Sequence, residues 1–226
     1  MKSAWLHQHH QERLIIFCSG WGMDANPFRP LSAKQFDVLM LFDYSDPDLD
    51  FDMEILARHY PCMVLVSWSM GVWVGQQLFR SWSHLFQRTI AINGTLCPIH
   101  DQLGIPVQLY MATLEQFSIS TRLKFYRRMC RQQSLETFLD NQPQRSVESQ
   151  SLELASLQGH VSCQDAGEAI YAQVFIASHD LVIPTANQLT FWQGHKVCRM
   201  PGSHFLFYNW QSWDELLACA DEHNSD

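Results

Sequence analysis

The sequence predicts an α/β fold, a mostly parallel central sheet flanked by helices, and two observations predict it. Short apolar runs at 14–18, 38–42, 62–66, 89–92, 174–177 and 196–200 are rich in Val, Ile, Leu and Phe and do not alternate with polar residues. Strands that are apolar on both faces belong to a parallel sheet covered on both sides. Helical patterns at about 51–59, 70–84, 186–193 and 210–221 fall between and after these runs, and such alternation calls for strand–helix–strand crossovers. The stretch at 4–9 either adds a further strand or stays outside the sheet.

The rhythm breaks between about 100 and 172. That segment is polar, with helical stretches at roughly 113–131 and 134–140, followed by the loop-like Asn141-Gln142-Pro143-Gln144-Arg145-Ser146. An insertion of roughly 70 residues is too long for a connection. Residues 100–172 are therefore expected to form a helical lid over one end of a core made from 1–99 and 173–226.

Composition narrows the function. The 226 residues, 46% hydrophobic and 17% charged, suit one large domain or two small ones and disfavour extensive disorder. The net charge of −8 argues against a general nucleic-acid binder, which needs a basic footprint. No apolar run approaches the roughly 18 residues of a bilayer span, and residues 1–10 lack the apolar core of a signal peptide. The 7 cysteines are scattered singly with no C-x-x-C pair. They read as reduced thiols, not a disulfide frame or metal site, and point to the cytoplasm.

The run at 62–66 leads into Ser67-Trp68-Ser69-Met70-Gly71-Val72-Trp73, which continues as a helical pattern. A nucleophile elbow is a sharp strand-to-helix turn that presents a serine oxygen at the strand's C-terminal edge. Positions two before and two after that serine must be small, because backbones crowd there. Here they are Ser67 and Gly71, giving S-x-S-x-G in place of G-x-S-x-G, and Ser69 is the nucleophile candidate. Ser69 would equally suit the N-cap of the following helix.

Other strand ends carry matching groups. Ser19-Gly20-Trp21-Gly22-Met23-Asp24 follows the run at 14–18. Acyl transfer needs two backbone N–H donors aimed at the developing oxyanion; Met70, just after the nucleophile, and the glycine-flanked Trp21 are the candidates. A plain tight turn would use the same loop residues. Asp180, after the run at 174–177 with Pro184 just beyond, can orient an imidazole or cap the next helix. Asp165 is the fallback acid, but it follows no strand. Of 11 histidines, His204 sits in the loop Pro201-Gly202-Ser203-His204-Phe205 between the last strand and the last helix. His195 precedes that strand and so faces the opposite edge. The order Ser69, Asp180, His204 is that of an α/β-hydrolase.

Together, Gly20-Trp21-Gly22-Met23-Asp24, Ser67-Trp68-Ser69-Met70-Gly71-Val72-Trp73 and Gly202-Ser203-His204-Phe205 resemble the BioG type of pimeloyl-acyl-carrier-protein methyl ester esterase. The resemblance spans about 12–215 and is loosest in the insertion. It implies hydrolysis of the methyl ester of a pimeloyl group carried on acyl carrier protein, in biotin precursor synthesis, without a cofactor. Ser69 would be the nucleophile, His204 the general base and acid, and Asp180 its orienting partner, with oxyanion N–H groups from Trp21 and Met70. Ser203 departs from the pattern, since a second glycine is usual there. Trp21 and Trp68 are expected to wall an apolar acyl slot, and Trp73 to lie in the core.

Between Glu115 and Glu136 there is no acid, yet Arg122, Lys124, Arg127, Arg128 and Arg131 all fall there. On a helix, 124, 127, 128 and 131 share one face. On an acidic protein such a face suits an acidic partner, and acyl carrier proteins are acidic; a merely solvated face has the same composition. Two rivals use the same residues: a broad short-chain carboxylesterase or acyl thioesterase, and a non-catalytic acyl-carrier-binding module on the same fold.

Overall fold

The computed structural model describes residues 1–130, 132–163 and 167–222. Seven strands, β1 Lys2–His7, β2 Arg13–Cys18, β3 Asp37–Phe42, β4 Cys62–Trp68, β5 Phe86–Ile92, β6 Gln173–Ala177 and β7 Val197–Met200, form one sheet in the order β1-β3-β2-β4-β5-β6-β7. The N-terminal stretch does pair: β1 runs antiparallel to β3, and every other neighbouring pair is parallel. The core-facing and back-facing residues of β2 are both buried, as unalternating apolar strands require.

Among the described residues the helices are α1 Met53–His59, α2 Met70–Phe79, α3 Val107–Glu115, α4 Ile119–Met129, α5 Gln132–Asp140, α6 Val147–His160, α7 Thr185–Phe191 and α8 Trp213–Glu222. Asp52 starts α1 by accepting the amides of Glu54 and Ile55 at 2.8 and 3.2 Å. The helix expected at 70–84 stops at Phe79 and tightens into a 3₁₀ turn over Arg80–Leu85. Phe17, Phe28, Phe207 and Trp213 pack together, edge-on for Phe17–Phe28 and Phe28–Phe207 at 4.8 and 5.0 Å and tilted for Phe17–Trp213 at 4.9 Å between ring centroids, joining β2 to the C-terminal helix.

Helices α3 to α6 occupy the interval between β5 and β6. Two expectations there need correction. The single helix at 113–131 is two, because Ser118 caps α4 through a reciprocal pair with Thr121: the Ser118 amide donates to Thr121 Oγ1 at 2.8 Å and the Thr121 amide to Ser118 Oγ at 3.4 Å. Helix α6 was not expected. Its inward face carries Gln150 and Glu153 beside Leu154 and Leu157, while Leu152 is exposed, so no apolar stripe marks it.

The cysteine reading is also corrected. Cys97, in the loop after β5, and Cys163, just past α6, are joined by a disulfide across a Cα–Cα distance of 4.6 Å. Chain folding brings together two residues 66 apart in sequence, which spacing alone did not disclose. Cys18, Cys62, Cys130 and Cys198 are free thiols.

Candidate active site

Ser69 is the hinge between β4 and α2. Its φ of 59° and ψ of −126° are strained for a residue with a side chain, a cost of about 1–3 kcal/mol that only the surroundings can hold. They do so in two ways. The Ser69 amide donates to Ile92 O at 3.0 Å and its carbonyl accepts from Val72 N at 3.0 Å. Gly71 lets α2 press against β2: a Cβ there would lie 2.3 Å from the carbonyl oxygens of Cys18 and Ser19. The Ser69 side chain makes no capping hydrogen bond to α2, so the N-cap role does not describe it.

Its hydroxyl instead meets His204, with Oγ 2.8 Å from Nε2. On the other side of the ring, His204 Nδ1 lies 2.7 Å from Asp180 Oδ2. A carboxylate has no proton to give, so Nδ1 carries the hydrogen and the Nε2 lone pair faces the serine hydroxyl. Asp180 is itself held: Oδ1 accepts the amides of Val182 and Ile183 at 2.8 and 3.0 Å, and Oδ2 accepts Gln188 Nε2–H at 2.8 Å. These amides belong to the turn before α7; the helix itself takes no side-chain cap. All three groups are buried.

The His204 loop is fixed from below. Its carbonyl accepts Trp68 Nε1–H at 2.9 Å and Asn93 Nδ2–H at 2.8 Å, while Asn93 Oδ1 accepts the Ala177 amide at 2.7 Å. One buried amide side chain thus ties the loop after β7 to β6. Sequence reading missed Asn93 and Gln188. The only available signal was position: Asn93 closes an apolar run at the sheet edge that carries the other strand-end groups.

Gly20, Trp21, Ser69, Met70, Phe125 and His204 line one narrow cleft, with about 450 Å³ of empty space including its mouth. Among the described residues, nothing accepts the backbone N–H of Trp21 or Met70. Trp21 packs between Phe117 and Phe125, ring centroids 5.0 and 5.1 Å away. Trp68 lines the cleft and abuts the His204 ring. Trp73 is buried in the core, as expected. Burial pushes the Cys18 thiol up to about 12, which keeps it protonated and inert behind the elbow.

Two alternatives fall away or lie outside view. His195 is exposed, its ring 5.0 Å from that of Trp192, and His204 holds the place between Ser69 and Asp180; Asp165 lies outside the described residues, as does Arg131. The basic cluster does not form one exposed face. Lys124 and Arg127 are exposed, but Arg122 turns inward to Arg145 O and Gln150 Oε1 at 3.1 and 3.4 Å. Arg128 lines the cleft over the Phe125 ring, 5.6 Å from its centroid, and burial draws its guanidinium below the ordinary value against the opposing charge of Asp180. A helical wheel groups side chains by azimuth; it does not say which azimuth the neighbouring helices cover.

The chain is similar to proteins of known family and fold. Residues 1–216 match the family model for pimeloyl-ACP methyl esterase BioG. The crystal structure of BioG from Haemophilus influenzae superposes with a TM-score of 0.86 at 31% identity, covering 96% of this chain and 99% of that one. An uncharacterized protein of H. influenzae is 31% identical over 93% of this chain and 96% of its own length. A malonyl-[acyl-carrier protein] O-methyltransferase of Bacteroides fragilis is 34% identical over 86% of this chain, which spans only 40% of that relative. An enol-lactonase of Burkholderia xenovorans, 13% identical with a TM-score of 0.67 over 100% of this chain and 96% of its own, shares the α/β-hydrolase fold. The chain belongs to the BioG family.

Proposed function

We propose that the protein is a serine carboxylesterase that hydrolyses the methyl ester of pimeloyl-acyl carrier protein, releasing methanol and pimeloyl-acyl carrier protein for biotin precursor synthesis. The observation that carries this reading is the Ser69–His204–Asp180 chain of short hydrogen bonds beside two uncommitted backbone N–H groups. A serine hydroxyl is a poor nucleophile near neutral pH, and the oriented imidazole corrects that. His204 Nε2 takes the proton as Ser69 Oγ adds to the ester carbonyl, and returns it to the departing methoxide. Water then repeats the sequence on the acyl-enzyme. The N–H groups of Trp21 and Met70 would hold the oxyanion, each worth about two to three decades in rate.

The substrate rests on the family, and an acyl carrier protein stands in the names of both the family and the Bacteroides relative. An acyl-carrier substrate implies a cytoplasmic site of action. Among the described residues, no helix is long and apolar enough to cross a membrane. Among the described residues of the basic cluster, Lys124 and Arg127 are exposed and can meet an acidic carrier; Arg122 and Arg128 are engaged elsewhere.

The test is mass spectrometry of pimeloyl-acyl-carrier-protein methyl ester incubated with the parent protein and with Ser69→Ala. Loss of one methylene mass with the parent alone is expected. If the parent cleaves a simple ester yet leaves this substrate intact, the esterase stands and the biotin assignment falls. Arg127→Glu should slow the carrier-linked reaction at low salt while sparing a small soluble ester; equal loss on both removes the docking role.

A further inference from the structure

Helix α6 reaches across the molecule to the loop that holds Trp21. Glu153, fully buried on α6, spreads its carboxylate over two loop amides: Oε2 accepts Gly22 N–H at 3.0 Å and Oε1 accepts Tyr44 N–H at 3.2 Å. One turn earlier, Gln150 Nε2–H donates to Gly22 O at 2.7 Å, and the Gln150 carbonyl accepts Trp21 Nε1–H at 2.7 Å. Gly22 has φ +78°, and a Cβ there would sit 3.2 Å from Gln150 Nε2, so the loop is shaped to receive this helix. The charge is compensated within the same knot. Arg145, preceding α6, binds Glu153 Oε2 at 2.5 Å and Asp43 Oδ1 at 2.9 Å, and donates to Met23 O at 3.3 Å. Burial raises the Glu153 carboxyl above its ordinary range, opposed by Arg145 and the two amides.

We infer that Glu153, buttressed by Arg145 and Gln150, is the positioning residue that aims the Trp21 backbone N–H at the reacting carbonyl. This rests on the reading of Ser69 as the nucleophile. The N–H and C=O of Gly22, the residue after Trp21, together with the Trp21 indole, are anchored to α6; the Trp21 N–H, one peptide unit earlier, has no acceptor among the described residues, and Trp21 lines the cleft. An oxyanion donor acts only if it is held before the charge develops. A buried carboxylate accepting loop amides gives that hold, at the expense of burying an ion pair that apolar residues could replace for stability alone. The helical segment is then part of the chemistry and not merely a cover.

The test compares the parent with Glu153→Gln and Gln150→Met, and with Tyr60→Phe as a control for loss of stability. Tyr60 donates to Asp37 at 2.8 Å beside the start of β3, at the opposite end of the sheet. Active sites are counted by fluorophosphonate labelling of Ser69, so unfolded protein drops out. Expected for Glu153→Gln is a fall in turnover per labelled site of about 10- to 100-fold with KM changed less than about threefold, somewhat less than deletion of a donor. The affinity for a trifluoromethyl ketone, whose serine adduct bears the oxyanion, should weaken in proportion. Gln150→Met should move both readings the same way by less, whereas Tyr60→Phe should lower the melting temperature and leave them unchanged. A Glu153→Gln protein that melts early yet turns over normally per labelled site, or keeps its ketone affinity, overturns the positioning role. A parent that neither cleaves any ester nor forms the ketone adduct overturns this inference and the esterase reading together.

Discussion

Replacing Asn93 by alanine is expected to damage both stability and catalysis, although Asn93 touches no substrate. Three effects contribute. The Ala177 amide loses the acceptor 2.7 Å away, and a buried orphan donor costs about 1–3 kcal/mol. The carbonyls of His204 and Ser203 lose donors at 2.8 and 3.3 Å, a smaller loss at His204, where Trp68 still donates. Finally, Asn93 sits at φ 45°, a left-handed conformation that asparagine tolerates and alanine adopts at an expense of about 1 kcal/mol. The effects share neighbours and will not add fully, so a net loss of about 3 kcal/mol is the expectation.

For a chain of this length about 3 kcal/mol corresponds to a drop of roughly 6–12 °C in melting temperature. Equilibrium urea unfolding should show the same loss with an unchanged slope. Freed from β6, the His204 loop drifts, and turnover of a soluble p-nitrophenyl ester should fall by roughly a hundredfold, since small misplacements of a catalytic group carry large kinetic penalties. Asn93→Asp separates the parts: it keeps the acceptor for Ala177 but sets a carboxylate against the His204 carbonyl, so its activity should fall at least as far while less stability is lost. If Asn93→Ala unfolds within 1 kcal/mol of the parent and turns over normally, the claim that this amide holds the histidine loop is wrong.

Three further outcomes follow from other contacts. Gly71→Ala drives a methyl into the Cys18 and Ser19 carbonyls; overpacking against backbone should cost about 3 kcal/mol and separate the elbow from the Trp21 loop, and a normal melting temperature with normal turnover would count against the crowding argument. Reducing Cys97–Cys163 opens a loop of 66 residues, which lowers unfolding free energy by up to about 4 kcal/mol on chain-entropy grounds; alkylation with and without reductant, read by intact mass, checks the bond, and identical labelling would refute it. Asp43 is held below its ordinary value: burial pushes it up, but hydrogen bonds from Lys2 and Ser45 and the charge of Arg145 prevail. Its contribution to stability is present above the unfolded pKa and is lost as pH falls through the lower folded one. Lys2→Met should therefore shift acid unfolding, followed by circular dichroism, to higher pH; no shift would remove Lys2 from the account.

The parts of the site that were legible in the sequence are those written locally. A strand, a sharp turn and a helix occupy neighbouring positions, so Ser69 with Gly71 behind it announces an elbow. Asp180 and His204 each follow a strand, and in a parallel sheet every strand end that precedes a crossover lies on the same edge. That rule alone separated His204 from His195 and gathered Ser69, Asp180, His204 and the Trp21 loop. What was not legible is the support beneath them. Asn93 meets His204 across 111 residues and Glu153 meets Gly22 across 131, and no periodicity relates such pairs. Helix α6 was hidden by the same trait that makes it useful: the polar residues that grip the loops stand where an apolar stripe would have betrayed a helix.

The basic residues show the converse error. Their spacing placed Lys124, Arg127 and Arg128 together on α4, but spacing says nothing of which side of a helix its neighbours cover. Arg122 is spent on the Arg145 and Gln150 knot and Arg128 on the cleft, so the same sequence feature divides between internal structure, site and surface. A charge-reversal series should expose that division. Arg127→Glu and Lys124→Glu are expected to raise KM for the carrier-linked ester with a salt dependence and leave turnover near normal, because only long-range steering is altered. Arg128→Glu is expected to depress turnover on carrier-linked and soluble esters alike, since it puts a carboxylate into the cleft beside Asp180 and His204. Parallel behaviour of all three variants across salt would mean that α4 presents one functional face after all, and that the inward position of Arg128 carries no consequence.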